Sequence, residues 1–424
     1  MKTKLLQIYY DMRHQPVIAW VSFIATALSV FLIMVVVMMQ QVKVIPFAPE
    51  SCRAHLLVGA FLHTESTDNS NNNSSSGMSY YVAEKLYSGL DGVEHTSYFS
   101  LSAEPSDVKS GQNEAFSAKS RKADAEFFRI FDHTLVEGRY YTKEEADAMM
   151  PVAVVSESTA GKAFGGRPWT GRQILVDQKP YTVIGVVRDN SSLATTACGD
   201  VFLPTGPDDK SGQWNDYMGN IAVALLVGDG VDFGSVREQV KGRYAMFDTE
   251  LAQHNLRTVY HESPFDRETV AGGLIGSNVT PDPSAERRMR LAVYAILLIV
   301  PAINLSSMLH SRMRRRISEI GVRRAFGCTR RRIIVDIVAE NFIVTLAGGL
   351  VGVIAGVIFA ATYSGLYENM ENFGSGDTPA VSALLSWTTV LIALGVCFVL
   401  NIFSASVPAW QASRLNPVNA INCK

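Results

Sequence analysis

The sequence lacks the motifs that nucleotide hydrolases, zinc hydrolases and serine hydrolases need for their chemistry. It has no G-x-x-x-x-G-K-[S/T] phosphate loop, because Gly161-Lys162 lacks both the earlier glycine and the following hydroxyl residue. It also has no H-E-x-x-H and no G-x-S-x-G. The eight histidines are scattered along the chain. We therefore predict no enzyme activity, no catalytic residue and no cofactor on this chain.

An excess of positive charge is also missing. The chain has 38 basic and 40 acidic residues, which gives a formal net charge of -2. A globally basic nucleic-acid binder is therefore excluded. The total charge therefore indicates little, and the positions of the charged residues along the sequence are more informative.

Four apolar runs are long enough to cross a bilayer, whose hydrocarbon core takes about 20 helical residues. They lie at 17–39, 291–309, 333–361 (with Phe342–Ala361 uncharged) and 387–407. A buried core helix is the alternative for any one run, but four runs in one chain favour transmembrane helices. A cleaved signal peptide is the alternative for the first run. That run is too long, and no small-x-small site follows Met39, so we predict a retained anchor.

Short basic segments predict the orientation, because loops rich in lysine and arginine stay cytoplasmic. Lys2, Lys4 and Arg13 precede the first run, whereas 362–386 has neither lysine nor arginine. Nine arginines separate the second and third runs: Arg312, Arg314, Arg315, Arg316, Arg323, Arg324, Arg330, Arg331 and Arg332. The pattern predicts that 1–16, 312–332 and 408–424 are cytoplasmic, and that about 40–287 and 362–386 lie outside.

Cysteine is scarce, and none of the five cysteines has metal-site spacing, so no metal site is predicted. Cys52 and Cys198 fall in the predicted outside region, where a disulfide can persist. Two alternatives stay open: a Cys52–Cys198 disulfide, or two unpaired small core residues.

The outside region predicts a large α+β domain between the first and second membrane helices. One strand–helix–strand unit is expected at 53–62, 78–90 and 93–101, and a second at 220–227, 233–251 and 256–261. Between them, 110–205 is predicted to be an inserted β-rich subdomain, with strands at 151–156, 173–176, 181–187 and 200–203 and one helix at 157–164. The tract Thr64–Gly77 is predicted to be a mobile loop, because it is too polar to pack.

Gly348, Gly352 and Gly356 are spaced four apart in the third run, so they share one helix face. Small residues let helix backbones approach closely. We predict a helix–helix seam, either within the subunit or between two copies. Ordinary glycine enrichment in membrane helices is the alternative.

At this point the sequence resembles the MacB/FtsX-type permeases of ABC transporters. The stretch 304–356 is similar to their signature block, through EIGVRRA at 319–325, Gly327, the arginines 330–332, Glu340 and the glycine-rich helix. The tail VPAWQASRLNPVNAI at 407–421 is similar to the family's ending. Outside, EFFRIFDHTLVEGRYYTKEEA, VAVVSESTAGKAFGG and YTVIGVVRD resemble the MacB-type extracytoplasmic domain.

The resemblance implies four membrane helices per subunit, a dimer of identical or different permease subunits, and a cytoplasmic ATPase. No ATPase precedes the first run, so we expect ATP and Mg to be bound by a separate polypeptide. The family also implies a bacterial inner membrane location with both termini cytoplasmic and the large domain periplasmic. A periplasmic adaptor or cargo is a further expected partner.

In the family, the segment between the second and third helices is the cytoplasmic coupling element, which corresponds to 312–332. Here Gly327 suits a helix C′ position and Thr329 can cap the next helix. ATPase docking is predicted for Glu319, Ile320, Gly321, Val322, Arg323, Arg324, Phe326 and Gly327. A role in topology and in contact with anionic lipid is predicted for Arg312, Arg314, Arg315, Arg316, Arg330, Arg331 and Arg332. Nucleic acid is not expected, because the stretch is short and tied to the membrane.

Two functions follow from the resemblance. The first is a permease subunit that converts ATP hydrolysis by the ATPase into motion of the periplasmic domain, for export of periplasmic cargo. The alternative is a non-transporting scaffold or sensor of FtsX type, which regulates a periplasmic hydrolase or a signalling partner.

Overall fold

The computed structural model describes most of the first two thirds of the chain and one long later helix. The described residues are 16–44, 46–67, 73–111, 114–190, 194–209, 216–271, 280–282, 284–285, 287–289, 291–296, 299, 303, 306, 322, 325–370, 391, 395, 398, 399 and 402. The chain divides into two compact units. We call Met1–Gln41, Ala285–Tyr363 and Leu384–Lys424 the helical unit, and Val42–Ser284 with Ser364–Ala383 the α/β unit.

The elements are numbered along the chain. The strands are β1 (Leu56–Gly59), β2 (Leu62–Ser66), β3 (Ser74–Met78), β4 (Val93–Ser100), β5 (Glu104–Lys109), β6 (Phe116–Ala123), β7 (Leu135–Gly138), β8 (Val152–Ser156), β9 (Gln173–Val176), β10 (Lys179–Val187), β11 (Val201–Pro204), β12 (Met218–Gly219), β13 (Ile221–Val227), β14 (Leu256–Thr258) and β15 (Phe265–Asp266). The α-helices are α1 (Pro16–Val44), α2 (Tyr80–Tyr87), α3 (Phe127–Ile130), α4 (Lys143–Asp147), α5 (Glu157–Phe164), α6 (Phe233–Leu251), α7 (Arg267–Ala271) and α8 (Arg330–Met370).

Strand β13 is the centre of the α/β unit and is apolar along its whole length because both of its faces are covered. It pairs antiparallel with β1 on one side and β4 on the other. Val223 and Leu225 pack with α2 and α6 in one core. Ala222 and Ala224 face a second core that holds Phe99, Phe127, Phe131 and Phe202. The run IAVALLV therefore serves two cores at once.

Six strands of the α/β unit close into a small barrel in the order β11-β8-β10-β9-β5-β6, because β11 also pairs with β6. Its interior is filled by short apolar side chains such as Val108, Val155 and Val183, together with Trp169. The barrel takes in the strands predicted for the β-rich insert, with the helix α5 at the expected residues. It begins earlier than expected, at β5, because Val108 and Lys109 pair with β9.

The mobile loop predicted for Thr64–Gly77 is wrong at both of its ends. β2 and β3 form an antiparallel hairpin, in which Thr64 lies opposite Ser74. Polar side chains pack here because their hydrogen-bonding groups are satisfied. The buried hydroxyl of Ser76 donates to the carbonyl of Gly219 at 3.0 Å. Residues 68–72 of the tract lie outside the described residues.

The strand predicted at 53–62 is also wrong in part, because the chain turns twice within it. Arg53–His55 forms a 3-10 turn before β1, and β2 begins only at Leu62. The strand predicted at 256–261 ends at Thr258, and the insert holds α3 and α4 besides its one predicted helix, because elements of three to five residues show too little apolar periodicity. Two longer predictions match their bounds. α6 spans the predicted 233–251, and β9 spans the predicted 173–176.

In the helical unit, α1 covers the first predicted membrane run and α8 covers the third. Most of the second run at 291–309 and of the fourth at 387–407 lies outside the described residues. Over the residues that the structure describes, no helix is both long enough and apolar enough to cross a membrane. The count of four spanning helices therefore stays a prediction.

The buried carboxyl group of Asp124 makes the stability of the protein depend on pH. Its buried carboxylate accepts hydrogen bonds from the Ser97 hydroxyl at 2.7 Å and from the amides of Tyr98 at 2.9 Å and Phe127 at 3.0 Å. Burial outweighs these bonds and raises the pKa of Asp124 from 3.8 to about 7. The folded state thus retains a proton that the unfolded chain releases, so stability falls as the pH rises from about 4 to about 7.

We expect Asp124→Asn to remove this part of the pH dependence. Between pH 5 and pH 7.5 the unfolding free energy of the wild type should fall by about 2 kcal/mol more than that of the variant, at about 1.4 kcal/mol per pKa unit. Chemical unfolding of both proteins at the two pH values measures this difference. Equal slopes would mean that Asp124 is already ionised at pH 5.

Candidate functional site

The three spaced glycines of α8 lie against α1 of the same chain, with no room for side chains. A Cβ at Gly352 would lie 2.5 Å from the carbonyl oxygen of Ala27 and 2.9 Å from the Cβ of Val30. A Cβ at Gly348 would lie 3.1 Å from the Cβ of Thr26. At Gly356 it would lie 2.6 Å from the sulfur of Met34. We call these contacts the glycine seam.

The register of the glycine seam shows that α1 and α8 run in the same direction. The residues contacted on α1 advance in steps of four, Thr26, Val30 and Met34, as the glycines advance from 348 to 356. Farther along, the rings of Phe31 and Phe359 meet edge to face at 5.7 Å. The amino-terminal ends of the two helices therefore lie at the same end of the helical unit. That both helices start on the cytoplasmic side stays a prediction.

The stretch just before α8 presents an exposed apolar tip, formed by Val322 and Phe326. The Phe326 amide donates to the Val322 carbonyl at 3.1 Å, which is a helical hydrogen bond, so both side chains share one helix face. Val322 is 44% exposed and Phe326 is 88% exposed. Val322 and Phe326 therefore present adjacent apolar side chains to solvent.

A tight turn joins the tip to α8. Gly327 has a φ of +87°, the left-handed conformation that glycine adopts at a helix C′ position, as predicted. The Thr329 hydroxyl accepts from the Arg332 amide at 3.4 Å and so caps α8, also as predicted. The tip is therefore fixed to the start of α8 by a defined turn.

Few members of the predicted docking and lipid sets fall among the described residues. Arg331 and Arg332 are exposed in the first turn of α8, where Arg330 also lies. The others lie outside the described residues: Glu319, Ile320, Gly321, Arg323, Arg324, Arg312, Arg314, Arg315 and Arg316. Their roles in docking and lipid contact stay predictions.

Cys52 and Cys198 are free thiols in the structure, which therefore does not contain the disulfide that the sequence left open as one alternative. The Cys52 sulfur instead points at the Ile130 carbonyl oxygen, 3.2 Å away. Burial raises the pKa of the Cys52 thiol to about 11. Of the second alternative, two unpaired small core residues, the unpaired part agrees with the structure, but both cysteines are only partly buried. Within the described ranges, no group of three His, Cys, Asp or Glu side chains is arranged to hold a metal ion.

The α1 half of the glycine seam was not foreseen from the sequence. Thr26, Val30 and Met34 lie in a continuous apolar run, where nothing distinguishes one helix face from another. Their spacing of four predicts a contact face only when it is matched with the spacing of the glycines on α8.

Two models of known protein families match separate parts of the chain. The family model described as "MacB-like periplasmic core domain" matches residues 22–243. The model described as "FtsX-like permease C-terminal" matches residues 291–417.

Curated relatives agree with these matches. The chain is 26% identical over 330 residues to the macrolide export ATP-binding/permease protein MacB of Wolinella succinogenes, covering 76% of this chain and 46% of that one. It is 22% identical over 339 residues to the uncharacterized ABC transporter permease YknZ of Bacillus subtilis, covering 78% and 77%. The chain thus spans about half the length of the MacB relatives it matches.

Two solved structures are similar to part of the chain. The periplasmic region of MacB from Actinobacillus actinomycetemcomitans has 15% sequence identity and a TM-score of 0.37, covering 53% of this chain and 95% of that one. The extracellular domain of YknZ, from Gram-positive bacteria, has 14% identity and a TM-score of 0.34, covering 47% and 100%.

The glycine seam predicts that Gly352→Ala is destabilising. The added methyl group would meet a backbone oxygen that cannot rotate away, so the helices must separate, at a cost of about 1–3 kcal/mol. Gly242→Ala in α6 is the matched control, because a Cβ there meets nothing within 4 Å. We expect that control to be neutral or slightly stabilising, since alanine favours a helix. SDS-induced unfolding of the purified chain measures both, and equal stability of the two variants would contradict the close approach.

Proposed function

The chain belongs to the MacB/FtsX-type family of ABC transporter permeases, and on that premise we propose that it is the permease subunit of a mechanically coupled export system. A separate cytoplasmic ATPase, which binds ATP and Mg, docks on the segment before α8. Its ATP-driven closure moves α8 and, through the glycine seam, α1. The α/β unit, on the periplasmic side of the inner membrane, then changes shape and expels a periplasmic cargo. A second permease subunit completes the dimer.

The observation that carries this proposal is the connection that leads from the exposed tip to α1. The tip is joined to α8 by the turn at Gly327, and α8 contacts α1 along three helical turns. α1 ends at Val44, and the chain is buried again at Pro49 and Glu50. A displacement at the tip can therefore pass through packed helices to α1, and from α1 along the chain into the α/β unit.

The chemistry of the tip favours a protein partner over lipid alone. A patch made only for anionic lipid needs positive charge, which Arg331 and Arg332 supply. An aromatic ring with Val322 beside it adds apolar area, and exposed aromatic residues are common anchors in protein interfaces. We infer that Phe326 inserts into a groove of the ATPase while the arginines orient the encounter.

Export is the direction that the named relatives support. The relatives include a pyoverdine export protein of Pseudomonas putida, 24% identical over 297 residues and covering 70% of this chain and 41% of that one, besides the macrolide exporters. We propose a cargo that reaches the α/β unit from the periplasm, since the proposed work is a change of shape outside the membrane.

Phe326→Ser tests the docking site. Because Phe326 is 88% exposed, its loss should leave the stability of the permease unchanged. We expect at least a tenfold loss of ATPase co-purification and of permease-stimulated ATP hydrolysis, of the size that loss of an aromatic anchor produces, about 2 kcal/mol. Met246→Ser in α6 is the control, because Met246 is another exposed apolar side chain, 72% exposed, and lies in the α/β unit.

Two outcomes would contradict docking at the tip. One is Phe326→Ser binding and stimulating the ATPase as the wild type does. The other is that Phe326→Ser still co-purifies with the ATPase but binds anionic liposomes more weakly than the wild type, which would assign Phe326 to lipid contact.

A further inference from the structure

Glu50 is fully buried, and its carboxylate accepts three hydrogen bonds and forms one longer ion pair with groups from three separate parts of the α/β unit. Oε2 accepts from Nε of Arg53 at 2.6 Å and lies 3.7 Å from Nη2 of Arg267. Oε1 accepts from the amides of Thr196 at 2.8 Å and Ala197 at 3.0 Å. Each oxygen of the carboxylate is thus committed to its own set of partners.

The partners of Glu50 lie where the chain enters the α/β unit, where it leaves it, and in a loop beside the barrel. Arg53 belongs to the entry segment 46–53, which follows α1. Arg267 is the first residue of α7. We call 260–271 the exit segment, because the chain afterwards returns to the helical unit at Ala285. Thr196 and Ala197 belong to the loop 194–198, which precedes the barrel strand β11. One carboxylate therefore joins entry, exit and barrel.

The loop 194–198 is held from its other side as well. The buried guanidinium of Arg121 donates to the carbonyls of Cys198 at 2.7 Å and Thr195 at 3.2 Å. Arg267 adds a hydrogen bond from Nη1 to the Thr196 hydroxyl at 3.4 Å. Since Arg121 extends from β6, these bonds tie the loop to the barrel wall.

Stability alone is a poor reason for such a network. A buried ion pair is often no more stabilising than apolar side chains of the same volume, because two charges lose their hydration. What it does impose is geometry, since each partner is held at one distance and in one direction. A network that joins three segments at one point is suited to moving them together.

We propose that Glu50 is a positioning residue that couples the entry segment, the exit segment and the loop 194–198, so that displacement of α1 reaches all three at once. We call this network the Glu50 clasp. The inference rests on the proposed function, because it names the point at which that motion enters the α/β unit. Through the clasp, a displacement of α1 would move β11 and α7 together with it.

Hydrogen exchange of the full chain in nanodiscs, without ATPase, tests whether the clasp exists as a unit. Glu50→Gln removes the charge and keeps the size of the side chain. We expect exchange at least tenfold faster in peptides covering 194–200 and 260–271, with peptides of β13 unchanged. Glu137→Gln is the matched control, because Glu137 also accepts two consecutive loop amides, those of Trp169 and Thr170, but contacts neither entry nor exit. It should accelerate exchange only around 169–170.

Accelerated exchange in β13 would show that Glu50→Gln unfolds the α/β unit. Arg267→Lys is a second variant that tests the same network if this happens. Lysine keeps the charge but cannot reach both Glu50 and Thr196, so exchange should rise at least threefold in 260–271 while the entry segment keeps its protection. Unchanged exchange at 260–271 in Arg267→Lys, or at 194–200 in a folded Glu50→Gln, would overturn the clasp.

The same measurement on the complex with its ATPase, in ATP and in ADP, separates the clasp from the proposed function. In the wild type, exchange at 46–55, 194–200 and 260–271 should change together with the nucleotide. In Arg267→Lys the entry peptide should still respond while 260–271 no longer does. A variant in which all three respond as in the wild type would overturn the clasp. A wild type without any nucleotide response would overturn the proposed function, and exchange without ATPase would then decide whether the clasp exists.

Discussion

The close approach of two helix backbones at Gly352 is the contact on which the coupling path depends. A carbonyl oxygen of α1 occupies the space that any side chain on α8 would need. Glycine adds almost no apolar area here, so the association rests on close van der Waals contact. These contacts weaken as the helices separate, and a gap of about 0.5–1 Å already forfeits a quarter to a half of their energy. Gly352 is therefore the position that most needs to stay without a side chain, whereas Gly356 faces the more adaptable Met34 side chain.

Within the α/β unit, strand β13 imposes the corresponding constraint. One of its faces belongs to the core with α2 and α6, and the other to the aromatic core around Phe127. The entry strand β1 is hydrogen-bonded directly to β13, with Leu57 opposite Leu225. The exit strand β15 pairs with β1 in turn. Entry and exit are thus attached, directly or through β1, to the central strand of the unit, and the proposed Glu50 clasp adds the barrel loop to the same attachment.

The sequence predicted what depends on local periodicity. α6, α5 and β9 were placed at their residues because their apolar spacing is regular, and Gly327 and Thr329 were placed because caps have local rules. The polar tract failed because the hydroxyl of Ser76 is satisfied by Gly219, which is 143 residues away in the chain. The Glu50 clasp was missed for the same reason, since Thr196 lies 146 residues from Glu50. Composition cannot report a polar group whose partners are distant in sequence.

The tip, the glycine seam and the clasp differ in how they respond to salt, and this difference separates their roles. The tip combines an exposed ring with exposed arginines, so its charged part is screened within about 8 Å at physiological ionic strength. The glycine seam carries no charge. The clasp is charged but excluded from water, where screening is weak. Under the proposed function, salt should therefore weaken the encounter with the ATPase and leave the glycine seam and the Glu50 network unchanged. The proposal thus gives partner recognition and force transmission different chemistry in one chain, so that docking can be reversible while the helix contacts behind it persist.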